Sequence, residues 1–130
     1  MTYELWVLVW AAVLGLVMLV LPPMAALPRK GYLMWNASPR DTPFDKGMLA
    51  ERLERAFANF RETFVIFAVA VIVLAFLHRS SDLSLWGARL YLAARILYIP
   101  LYAFGVIGVR SLVWVASMAG VVMCLVSVFI

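Results

Sequence analysis

The chain is 130 residues long, 66% of them hydrophobic and 14% charged, with a formal charge of +4. Ordinary soluble domains are about 45–50% apolar and about 25% charged, so this composition excludes a soluble enzyme or nucleic-acid-binding module. It leaves one integral membrane domain, with room for four spans of about 20 residues and one long loop. The basic residues lie beside apolar runs, where positive flanks on the cytoplasmic side account for them. Cys124 is the single cysteine; it forbids an intrachain disulfide and reads as packing in the last apolar run.

A first helix is expected over about 3–27. Its apolar run, Leu5 to Leu27, is too long for a signal peptide and lacks the positive residues that should precede one, since Glu4 is the only charge ahead of it. Pro22 and Pro23 would bend or end it, and Arg29 and Lys30 follow as an interfacial stop. Residues 28–46 read as a structured cytoplasmic loop punctuated by Pro28, Gly31, Pro39 and Pro43, with Tyr32 and Trp35 suited to the headgroup layer. Asp45 is a candidate N-cap for a second helix over about 47–77, longer than a bilayer is thick, so its first turns stand in the cytoplasm.

A short polar turn, His78 to Asp82, makes the second helix and a third, over about 83–104, an antiparallel hairpin. Gly105 and Gly108 interrupt the chain before a fourth helix over about 110–130. Arg29, Lys30, Arg40, Lys46 and Arg110 fall in the first and third connections, against Arg79 alone in the second. Both termini are therefore expected on the non-cytoplasmic side. His78 has no metal partner and reads as solvated, while Arg89 reads as a snorkelling residue.

The second helix carries Arg52, Arg55, Asn59 and Glu62 at i, i+3, i+7 and i+10, on one face. The uncharged run after them, Phe64 to Leu77, covers only about 21 Å of the about 30 Å a bilayer core needs. Polar residues must therefore enter the hydrocarbon or its edge, where they are costly and mark function by default. The third helix answers with Arg95, Tyr98 and Tyr102 at i, i+3 and i+7.

Across an antiparallel hairpin, residues of equal depth share one index sum. Glu62 with Arg95, Asn59 with Tyr98 and Arg55 with Tyr102 do so, which places both stripes in one layer. Glu62 opposite Arg95 would supply each buried charge with a partner. That pair is either a clip between helices or one wall of a ligand site. The cations Arg52, Arg55 and Arg110 exceed what a clip requires and suit an anionic ligand, carboxylates above all. Arg110, with Ser111 beside it, is either a positive-inside anchor or a residue that stabilises a thiolate. Arg61, off the stripe, would snorkel, pair or assist the site.

These residues resemble the MAPEG family, the membrane-associated proteins in eicosanoid and glutathione metabolism. The resemblance rests on the run Glu51 to Glu62 with its Arg-x3-Asn-x2-Glu element, on Ala94-Arg95 followed by Tyr98 and Tyr102, and on Arg110-Ser111. It implies an all-α, four-helix membrane chain assembled as a homotrimer, with glutathione held as co-substrate between subunits near the cytoplasmic face and no metal. By that similarity Arg52 and Arg55 bind the glutathione carboxylates, and Asn59 and Glu62 hold its backbone and amino group. Arg95, Tyr98 and Tyr102 line the site, and Arg110 stabilises the thiolate with Ser111 as the alternative partner.

The chain departs from the family pattern at Ala58, where some eicosanoid-forming members carry a second basic residue. The proline often found after the Glu motif is also absent. The implied activity is a glutathione transferase acting on lipophilic electrophiles, with peroxidase activity alongside it. The alternative is a non-enzymatic lipid-binding or scaffold member. A four-helix drug exporter ranks behind both, because its essential Glu would stand inside the first span, and the apolar run Leu5 to Leu27 has none.

Overall fold

The computed structural model describes residues 1–130 and is entirely helical, with α1 at Tyr3–Ala26, α2 at Tyr32–Ala37, α3 at Met48–Leu77, α4 at Asp82–Ala103 and α5 at Val109–Phe129. Thr2 caps α1, its hydroxyl accepting from the Leu5 amide at 3.3 Å. Pro22 and Pro23 fall in the last turns, and the helix ends three residues beyond the second of them at Ala26.

The long loop contains an element that its punctuation conceals. Gly31, at φ +85°, opens the six-residue α2, whose buried Tyr32 and half-buried Trp35 cluster with Phe44 at ring separations of 5.4–6.0 Å. Asp45 does not cap α3. Its carboxylate instead accepts from the Gly47 amide at 3.0 Å, and Gly47 becomes the N-cap at φ +93°. A side chain there would also meet the Arg29 guanidinium at 2.7 Å.

The α3–α4 turn is tight because His78 closes α3 in the left-handed conformation and Ser81 with Ser84 forms a capping box at the start of α4. Glu4 reaches into this turn. It is 2% exposed, accepts from Ser80 Oγ at 3.1 Å and from Ser84 Oγ at 2.5 Å, and so ties the start of α1 to the start of α4.

α4 and α5 cross with their backbones almost in contact. A Cβ on Gly87 would stand 2.8 Å from the Gly120 carbonyl oxygen, and one on Gly120 would stand 2.6 Å from that of Gly87. Cys124 packs at this crossing, its Sγ 3.6 Å from the Ser84 carbonyl. α1 approaches α3 in the same way, with Gly15 leaving the space that the Phe60 ring fills. The core runs between these contacts through Phe67, Val71, Leu74, Tyr91 and Val121, while Val65, Val69, Ile72 and Phe76 on the outside of α3 are more than half exposed. An apolar exterior around a small packed core is the surface that lipid solvates.

α1, α3 and α5 are long and apolar enough to cross a membrane. The expected fourth span, α4, is long enough at about 33 Å. It is less apolar because it carries Asp82, Arg89 and Arg95. Arg95 is turned wholly inward, and Arg89 lies between the rings of Tyr3 and Trp86 at 4.6 and 4.9 Å, its Nε donating to the Tyr3 hydroxyl.

Candidate functional site

At the end of the bundle where α3 begins and α4 finishes, polar contacts climb the α3–α4 seam as a ladder. Arg52 Nη1 donates to the Ala103 carbonyl at 3.2 Å, where a cation complements the C-terminus of α4. Arg55 Nε donates to the Tyr102 hydroxyl at 3.2 Å, and Arg95 Nη1 to Asn59 Oδ1 at 2.9 Å. Deeper still, Thr63 gives its hydroxyl proton to the Phe60 carbonyl at 3.1 Å, so the Tyr91 hydroxyl, 3.0 Å away, donates to Thr63.

Arg95 is the centre of this wall. It is 0% exposed, with its guanidinium 4.4 Å from the Tyr98 ring centroid and 5.7 Å from that of Phe60. Two of its nitrogens, Nε and Nη2, have no hydrogen-bond partner. Buried donors are almost always satisfied, so an enclosed cation with three unpartnered N–H groups, one on Nε and two on Nη2, stands out in this wall.

The Glu62–Arg95 pair expected from the index sums does not form. Glu62 is exposed, and the one ion pair in the structure is Lys46 with Glu54 at 2.6 Å. The cause is helical phase. At about 100° per residue the stripe Arg52, Arg55, Asn59, Glu62 spans an arc of about 80°, with Arg55 and Glu62 at one edge. Arg52 and Asn59 are half-buried against α4, while Arg55 and Glu62 turn outward. The residue one turn above Asn59 is Thr63, not Glu62, and it is Thr63 that meets α4.

Asn59, Tyr98, Tyr102, Arg110 and Ser111 come together around a cleft of about 460 Å³, completed by Trp114 and Val115. The Arg110 guanidinium lies over the Tyr102 ring at 4.5 Å, so Tyr102 is flanked by two cations, with that of Arg55 5.9 Å from its centroid. Arg55 thus reaches the cleft through Tyr102, and Arg95 stands behind it through Asn59 and Tyr98. Arg52 and Glu62 do not line it. Arg61 is stacked on Phe57 of its own helix at 5.0 Å, beside a separate notch over Ala58. Trp114 and Val115 are the lining residues absent from the expected set, and Trp114 is the one with chemistry to offer. The signal was its place four residues after Arg110, on the same helical face.

A helical chain with an apolar exterior and three helices long and apolar enough to cross a membrane is an integral membrane protein, and its polar cleft is lined by Arg110 with Arg55 and Arg95 close behind it. The chain matches the model of the MAPEG family over residues 7–130 and belongs to that family. No curated protein and no solved structure matches it.

Proposed function

We propose that this protein is a membrane-bound glutathione transferase of the MAPEG type, with α1, α3, α4 and α5 as four spans, both termini on the non-cytoplasmic side, and homotrimeric assembly. The observation that carries the reading is the buried Arg95 with Nε and Nη2 unpartnered, in a wall that adds Arg55 and Arg110 but no paired carboxylate. Glutathione has two carboxylates and an ionisable thiol, which is the chemistry such a wall selects. The fourth span is supported by the inward burial of Arg95, which removes the most costly charge of α4 from lipid. The excess of Arg29, Lys30, Arg40 and Lys46 in the α1–α3 connection supports the orientation.

In this reading Arg52 and Arg55 attract the carboxylates from the aqueous side, Asn59 holds the backbone, Glu62 meets the amino group from the outward face of α3 where the site is completed between subunits, and Arg95, Tyr98 and Tyr102 fix the ligand against α4. Arg110, with Ser111 one residue on, holds the thiolate by electrostatic stabilisation, and the wall supplies its orientation toward a lipophilic electrophile. Hydroperoxide reduction by the same thiolate is the second activity to assay. Calorimetry on the protein in micelles tests binding, with saturable glutathione uptake in the wild type and its loss in Glu62→Gln as the expected result. Arg110→Ala should lower kcat for conjugation by about 10²–10³ while glutathione still binds. Turnover unchanged in Arg110→Ala overturns the role of that residue, and binding without turnover in the wild type points to the non-enzymatic, lipid-binding members.

A further inference from the structure

The α5 wall of the cleft has two parts of different chemistry. Along α5, Arg110 and Ser111 make the first turn polar, and Trp114 and Val115 make the next turn apolar. Trp114 stands four residues beyond Arg110 on one face of α5, about 6 Å further along the axis. That direction leads toward the bilayer centre, because most of α5 lies beyond it. Trp114 is 37% exposed and so is not sealed within the bundle. Tyr98 and Tyr102, with ring centroids 5.5 Å apart, border the same cleft. Aromatic rings therefore supply three of its seven lining residues, and the recess favours a flat occupant.

Resting on the transferase reading, we propose that Trp114 selects the electrophile, by stacking planar activated arenes one helical turn from the thiolate held at Arg110. The discrimination follows from the solvent. A flexible alkyl chain gains little by leaving lipid for an indole, because both surroundings are equally apolar. A flat electron-poor ring gains the offset stacking that lipid cannot offer. With an aryl chloride the thiol proton has already passed to water. The sulfur forms a C–S bond at the ring carbon bearing chlorine, and the C–Cl bond breaks with chloride leaving on its electron pair. Nothing is oxidised or reduced.

The test compares kcat/KM for 1-chloro-2,4-dinitrobenzene with kcat/KM for 4-hydroxynon-2-enal in wild type, Trp114→Ala and Trp114→Phe. The ratio of the two should fall about tenfold in Trp114→Ala and return to within about threefold in Trp114→Phe, which keeps a flat ring. A ratio unchanged in Trp114→Ala overturns the proposal. A second measurement needs no glutathione. Quenching of tryptophan fluorescence by 1,3-dinitrobenzene should be saturable in the wild type and lose its saturable component in Trp114→Phe. Full saturable quenching in Trp114→Phe also overturns the proposal. If the wild type turns over neither electrophile, the transferase reading fails, and the quenching comparison still decides the role of Trp114.

Discussion

Replacing Arg95 by methionine separates the two roles that a buried arginine between helices can have. As a clip, Arg95 holds α3 to α4, and removing one partner of a buried ionic contact costs about 3–5 kcal/mol. The structure leads to a different figure. Burying Nε and Nη2 without partners costs about 1–3 kcal/mol each. The bond from Nη1 to Asn59 offsets about 1.5–3 kcal/mol of that. Stacking on the Tyr98 ring offsets about 2 kcal/mol more. These contributions nearly cancel, so Arg95→Met should change the stability of the unliganded protein by less than about 2 kcal/mol. The assay is thermal unfolding in micelles with and without glutathione. The midpoint without ligand should move by only a few degrees in either direction, and the upward shift that saturating glutathione gives the wild type should disappear. A fall of about 10 °C or more in the unliganded variant, with the ligand-induced shift retained, would refute this reasoning and leave Arg95 as a structural clip.

Gly120→Ala puts a methyl 2.6 Å from the Gly87 carbonyl oxygen and 2.8 Å from the Tyr91 amide nitrogen, so α5 must move off α4. Overpacking of this kind costs about 1–3 kcal/mol and should lower the unfolding midpoint. Ser84→Ala removes the 2.5 Å hydrogen bond to the buried Glu4 carboxylate and should destabilise by about 1–3 kcal/mol. Adding Glu4→Leu to that variant should recover part of the loss. Glutathione affinity measured by calorimetry should stay within about threefold of the wild type in both Ser84 variants, because this contact lies at the end of the bundle away from the cleft.

The parts of this site that were legible in the sequence were those that composition cannot hide. Charged and tyrosine residues at helical spacing beside uncharged runs marked α3 and α4 as facing walls, and the tight turn at Ser80 fixed which residues share a depth. Depth alone does not fix direction. An index sum places Glu62 level with Arg95, yet a rotation of about 60° about the α3 axis from Asn59 carries Glu62 outward and leaves Thr63 facing Tyr91. Trp114 carried only its place one turn from Arg110 as a signal, since an aromatic residue in an apolar helix otherwise looks the same whether it faces lipid, core or a cleft. Glu4 gave no sign of its partners, because a single charge in the first turn of a helix fits many surroundings, and only the fold reveals that Ser80 and Ser84 close over it.

The outward turn of Glu62 has a chemical consequence for Arg95. If these two residues paired, each charge would be satisfied within the chain and the wall would have no use for an anion. With Glu62 rotated away, Asn59 satisfies one nitrogen of Arg95 and two stay free. The amide thus holds the guanidinium in place without neutralising it, and under the proposed function its positive charge is left to act on a carboxylate or thiolate in the cleft.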